Sequence, residues 1–141
     1  MSIPTCSGLY IVQPTNVEPI CSYRGDKRRE GSGTPIKVGC IKFGMAKNLD
    51  RRRKNYEKTF GKHNIFFAPI VYSSLSHKIE RAVKIQVKAS RIRSPKNRPL
   101  EWLTDISFQT LKQQILDVAI KLDTTAGFPD DSMDLRLRSI S

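Results

Sequence analysis

Four side chains in this sequence carry the functional groups that attack of water on a phosphodiester requires. Tyr10 closes the triplet GLY at Gly8–Tyr10, Arg52 is the middle of three consecutive arginines, and Tyr56 follows it by four residues. Glu80 is the only Asp or Glu between Glu57 and Glu101. Such a reaction needs an aligned and deprotonated water, stabilised charge on the phosphorus oxygens and a cation at the leaving oxygen. A phenol, a guanidinium and one carboxylate-bound Mg²⁺ can meet those needs, because a hard cation completes its shell with waters and phosphate oxygens. Taken singly, each residue has a plainer reading. Tyr10 is an ordinary strand residue with a bonded hydroxyl, Arg51–Arg53 a solvated face, Tyr56 core, Lys42 one more surface charge, and Glu80 an i,i+4 partner of Lys84.

The elements that must position these groups follow from the pattern around them. Gly8–Gln13 alternates as a strand, with Leu9 and Ile11 on one face and Tyr10 and Val12 on the other. Pro14–Pro35 is rich in Pro, Gly, Ser and charge and reads as a long loop. Ile36–Gly44 is a second strand, paired antiparallel with the first, and Gly39 marks a bulge in it. Asn48 caps a helix running to about Lys58, in which Leu49, Arg52 or Arg53, Tyr56 and Phe60 recur at helical spacing. Asn64–Tyr72 is a third strand that Pro69 confines to an edge or breaks. Ser76 caps a helix through about Arg91 with Ile79, Val83 and Val87 as its apolar stripe. Arg91–Pro99 is a basic turn. A third helix turns Phe108, Leu111, Ile115, Val118 and Leu122 to one side. The expected fold is α/β, a small sandwich with a three-stranded, mainly antiparallel sheet flanked by helices in the order β-β-α-β-α-α. One domain covers 1–123, with a basic loop insert at 14–35, and 124–141 form a C-terminal tail.

The charge says what kind of partner to expect. The chain has 141 residues, net charge +12 and 38% hydrophobic residues. Residues 1–98 hold 21 Lys or Arg against 6 Asp or Glu, whereas residues 99–141 hold 4 against 7. A phosphate polymer is the usual partner of such a body. No apolar run is long enough to span a bilayer, no helix pairs a basic face with a large apolar one, and no signal-peptide pattern opens the chain. The expectation is an intracellular protein, in the cytoplasm or the nucleoid or nucleus of a host cell, with no membrane partner. Cys6, Cys21 and Cys40 are odd in number and lack C-x-x-C spacing, so they read as reduced, mostly buried thiols and not as a metal site with His63 or His77. Trp102 reads as a core anchor beside the third helix, base stacking being the other use of such a ring. Candidate nucleic-acid contacts are Arg24, Lys27, Arg28 and Arg29 in the loop, Lys47, Arg51 and Arg53 around the first helix, and Lys84, Arg91 and Arg93 beyond it.

In this order and spacing the residues resemble the GIY-YIG nuclease superfamily. Gly8–Tyr10 (GLY) matches its first motif, Lys42–Gly44 (KFG) its second, and KNLDRRRKNY the helix that follows, with the catalytic arginine on Arg52. KIERAV offers Glu80 as the metal-binding glutamate. The similarity is to a phage- and virus-rich branch that has K-I-G in the second motif and an E-W-F-like tail segment, here Glu101–Leu103 (EWL). It covers about residues 8–103. The resemblance implies a Mg²⁺- or Mn²⁺-dependent hydrolase that leaves 5′-phosphate and 3′-hydroxyl ends. The second-motif tyrosine is replaced by Lys42, which near Tyr10 would lower the phenol pKa from about 10. The chain departs from the family in its long 14–35 insert, and in Lys84, where the branch often has a histidine.

The sequence reading is thus a single-domain, metal-dependent DNA endonuclease. Tyr10 orients or deprotonates water with help from Lys42, Arg52 stabilises the transition state, Tyr56 supports the phosphate or Tyr10, and Glu80 holds Mg²⁺ or Mn²⁺. Double-stranded DNA is the expected substrate and a monomer the expected state. The rival reading is a non-catalytic DNA- or RNA-binding basic protein on the same scaffold, RNA being told apart by contacts to the 2′-hydroxyl.

Overall fold

Alternation along the first strand decides how the molecule is layered. A computed structural model describes residues 6–16, 20–21, 35–36, 39–87, 91–93, 99–103 and 106–129. The elements are β1 (Gly8–Pro14), β2 (Ile20–Cys21), β3 (Pro35–Ile36), β4 (Ile41–Ala46), α1 (Leu49–Phe60), β5 (Ile65–Tyr72), α2 (Ser76–Gln86), β6 (Arg91–Arg93), β7 (Pro99–Leu103) and α3 (Phe108–Leu122). An antiparallel sheet runs β5-β1-β4-β7-β6, and β2 and β3 pair separately. On one face Leu9 and Ile11 of β1 join Ile79, Val83 and Val87, and Leu111, Ile115, Val118 and Ala119 of α3, in one cluster. On the other, Tyr10 and Val12 join Leu49, Tyr56 and Phe60 of α1 in a second. The α/β sandwich is therefore as expected, with α1 on one face and α2 and α3 on the other.

The sheet has five strands where the sequence reading expects three. The stretch read as a basic turn has strand at both ends, Arg91–Arg93 and Pro99–Leu103, and these pair and extend the sheet beyond β4. Its dense charge hides the alternation that buries Trp102 and Leu103 on opposite faces. Trp102 consequently packs with Phe60 on the α1 side, ring centroids 6.1 Å apart, and not beside the third helix. The strand expected at Ile36–Gly44 begins at Ile41. Ile36 pairs with Ile20, and Gly39 sits in a turn at φ +104°, not in a strand bulge. Among the described residues the sheet is irregular in β5, where the register with β1 steps from Leu9–Val71 to Tyr10–Pro69, and between Arg91 and Arg93 of β6. Pro69 lies on the edge strand, where its missing N–H costs no ladder bond.

Asn48 caps α1 as expected, its side chain accepting from the Arg51 N–H at 3.0 Å. Ser76 is not a cap. Leu75 holds that position, and the Ser76 hydroxyl donates to the Ser73 carbonyl at 2.7 Å. α2 ends at Gln86, short of Arg91. Leu122 is 45% exposed and not in the stripe of α3, because the helix stops there. The next residue, Asp123, is held by the Ser73 hydroxyl at 2.6 Å. Residues 124–129, assigned by sequence to the tail, continue the fold: Gly127 and Tyr72 exchange both backbone hydrogen bonds, at 2.8 and 2.9 Å. Residues 130–141 and most of the 14–35 insert lie outside the described residues. Cys6 is exposed and Cys40 half-buried, so the expected burial of the thiols fails for Cys6. No helix among the described residues is long and apolar enough to cross a membrane.

Candidate functional site

Tyr10 and Gly44 face each other across the β1–β4 ladder, and the phenol lies over the glycine. A Cβ at position 44 would stand 2.6 Å from the Tyr10 hydroxyl oxygen and 3.0 Å from Cζ. The ring is fixed on its other sides by stacking on Phe67 of β5 at 4.7 Å and by the edge of Tyr56 at 5.6 Å. The helical period then delivers Arg52 and Tyr56 together, one turn apart on α1. The Tyr10 and Tyr56 hydroxyls are 2.9 Å apart, and Arg52 Nη1 donates to the Tyr10 oxygen at 3.1 Å. The Arg52 guanidinium carbon lies 5.8 Å from the centre of the Tyr10 ring. Three of the sequence-derived residues are thus in direct contact.

Lys42 projects from the same face of β4 as Gly44, two residues earlier. Its ammonium lies 5.2 Å from the centre of the Tyr56 ring and 5.7 Å from that of Trp102. Burial and the neighbouring Tyr56 push the Tyr10 phenol well above its usual value near 10, while Lys42 and Arg52 pull it down. The expected lowering by Lys42 is present but does not prevail. The ring is almost wholly removed from water, so desolvation of a phenolate outweighs two partly solvated cations.

Glu80 approaches from the other helical layer. Among the described residues β7 pairs with β4 at Ile41 and Lys42, and the rest of that edge of β4, from Phe43 on, has no strand partner. Glu80 Oε2 accepts the Met45 N–H there at 3.1 Å, one residue along the strand from Gly44. Its other oxygen is 3.8 Å from Lys84 Nζ, and the side chain is 21% exposed. The described residues contain no group of three His, Cys, Asp or Glu that could enclose a metal ion.

The candidate nucleic-acid contacts divide. Lys47 and Arg51 are exposed. Arg53 is half-buried, and its guanidinium binds Asp50 at 2.8 Å and Glu57 at 3.0 Å along α1. Lys84 sits beside Glu80. Arg91 and Arg93 lie in β6 on the far edge of the sheet. Arg24, Lys27, Arg28 and Arg29 lie outside the described residues. Lys54, Lys58 and Lys62, not among the candidates read from the sequence, are also exposed along and just beyond α1, Lys54 paired with Asp50 at 3.1 Å. Their spacing from Arg51, at three, seven and eleven residues, is the signal that could have found the first two on one helix face.

The arrangement is a phenol pair bridged to a helix arginine over a strand glycine, with a glutamate at the same strand, on a small α/β scaffold. Residues 20–121 match the T5orf172 domain family, and the chain belongs to it. That domain is GIY-YIG-like and associated with homing endonucleases, which indicates a nuclease-like or DNA-binding role. No curated protein and no solved structure matches the chain. The family match begins after Tyr10, so it is the β1–β4 pairing that joins Tyr10 to the matched segment.

Proposed function

We infer that the protein is a metal-dependent DNA endonuclease whose site is built from Tyr10, Lys42, Arg52, Tyr56 and Glu80. The observation that carries this reading is the contact of Arg52 and Tyr56 with the Tyr10 hydroxyl, directly over Gly44 and one residue from the backbone N–H that fixes Glu80. A mere binding surface has no need of such a cluster, in which two mutually hydrogen-bonded hydroxyls and a guanidinium meet beside an aromatic core.

Tyr10 is protonated at working pH, so it orients the attacking water by hydrogen bonding and is not a standing phenolate. The water's proton passes to the Tyr10 oxygen as Tyr10 hands its own to Tyr56 and Tyr56 releases one to solvent, in one concerted movement that leaves both phenols neutral. Arg52 already contacts the Tyr10 oxygen and meets the charge that grows on the phosphorus oxygens. Lys42 adds a second cation on the same face of the sheet. Glu80 would hold Mg²⁺ or Mn²⁺, which when bound supplies charge at the leaving oxygen. The basic surface at Lys47, Arg51, Lys54 and Lys58 suits the phosphates of a nucleic acid, duplex DNA in this reading.

A second reading, a non-catalytic nucleic-acid binder on this scaffold, draws support from Lys84. Its ammonium is near the carboxylate that a metal must reach. Incubation of supercoiled plasmid with Mg²⁺ or with EDTA separates the two. The endonuclease reading expects metal-dependent nicking, and binding without cleavage under both conditions would overturn it.

A further inference from the structure

We propose that Trp102 is a positioning residue that holds the Lys42 ammonium in the site, with Tyr56 as the other wall of its cage. This rests on the nuclease reading only for what Lys42 does there. The contact itself follows from the sheet. Lys42 and Trp102 are direct partners across the β4–β7 ladder, one of two residue pairs that join these strands among the described residues. Both side chains therefore rise on the α1 face, close enough for the long lysine stem to lie along the indole. The Trp102 ring is 4% exposed and is braced by the edge of Phe60 at 6.1 Å. Tyr56 stands on the other helix-borne side, 5.2 Å from the ammonium. A lysine has four rotatable stem bonds, and a cation placed between two π faces loses most of that freedom. The same Tyr56 whose ring contacts the ammonium shares a hydroxyl–hydroxyl hydrogen bond with Tyr10. The cage thus couples the position of Lys42 to the hydroxyl pair. In this view the strand that carries Pro99–Leu103 is added to the sheet to supply that wall.

The test uses the full chain and two readouts. Ring currents from two aromatic faces should displace one lysine ε-methylene pair upfield of all others in the proton–carbon spectrum. Lys42→Met should delete that signal, Trp102→Phe should keep it with a smaller displacement, and Trp102→Leu should return it to the ordinary lysine position. In plasmid cleavage Trp102→Phe should stay within about threefold of the parent, whereas Trp102→Leu should fall about tenfold. Lys42→Met should fall by about a hundredfold, and adding Trp102→Leu to it should lower the rate no further. A folded parent with no displaced lysine signal overturns the proposal, as does an additive loss in the folded double variant. Should Trp102→Leu not fold, the same comparison made with Trp102→Phe decides it: its small loss must vanish in the Lys42→Met background. A parent that shows the displaced signal and cuts no DNA upholds the cage and overturns the nuclease reading alone.

Discussion

Gly44 and Tyr10 are coupled through a distance that leaves no room for a side chain: a Cβ at 44 would sit 2.6 Å from the Tyr10 hydroxyl oxygen. The ring cannot give way, because Phe67 stacks on it and Tyr56 and Arg52 hold its oxygen. Gly44→Ala should therefore cost about 1–3 kcal/mol of stability. It should also break the Tyr10–Arg52 contact, lowering cleavage far more than DNA affinity. Chemical denaturation with parallel cleavage and binding assays checks both.

Tyr10→Phe and Tyr56→Phe remove one hydroxyl each from the same pair. Tyr10→Phe also removes the acceptor for Arg52 and should reduce cleavage by about 10²-fold or more. Tyr56→Phe leaves that acceptor in place and should reduce it less. Tyr56→Phe should cost about 1 kcal/mol, the net worth of one hydrogen bond, and Tyr10→Phe more, because it removes two. Equal cleavage by Tyr10→Phe and the parent would remove Tyr10 from the mechanism.

Alkaline stability should report the buried phenol. The folded state raises the Tyr10 pKa, so the unfolded chain loses this proton first as pH rises. The stabilising contribution is complete below about pH 10, the usual phenol value, and is lost progressively above it. The slope reaches up to about 1.4 kcal/mol per pH unit for one proton. Urea unfolding of the parent should weaken above pH 10 more steeply than that of Tyr10→Phe.

Glu80→Gln keeps an oxygen that can accept the Met45 N–H and discards the charge. Folding should survive and DNA affinity should hold or rise, since a carboxylate leaves a basic surface. Cleavage should fall by orders of magnitude, several kcal/mol of transition-state stabilisation. Arg52→Ala should also abolish cleavage but lose affinity. A folded Glu80→Gln protein that cuts at the parent rate would remove Glu80 from the site.

Arg51 and Arg53 are two residues apart and should behave differently. Arg51 is exposed, so Arg51→Ala should reduce the slope of log affinity against log salt by about one unit if it meets a phosphate. Arg53 is clamped between Asp50 and Glu57, so Arg53→Ala should lower Tm and free two carboxylates beside the basic face. Salt titration of DNA binding, with thermal melts of both variants, distinguishes them.

Local pattern was enough for much of this molecule. Alternation in β1 separated Leu9 and Ile11 from Tyr10 and Val12, Asn48 announced α1, and Pro69 announced an edge strand. These are decided by bonds and periods a few residues long, and so they are legible in a string. The four-residue step from Arg52 to Tyr56 belongs with them. Tertiary structure decided the rest, because each depends on partners far away in the chain. The charged stretch after Arg91 became two strands only because β4 offered an open edge at Ile41 and Lys42. That pairing carried Trp102 to the α1 face and onto Lys42. Gly44 became necessary only once Tyr10 lay across it, and Glu80 found the Met45 N–H only where β7 stops short. The direction of the Tyr10 pKa turned on burial, which no spacing of lysines and arginines reveals: desolvation is set by everything packed around the ring.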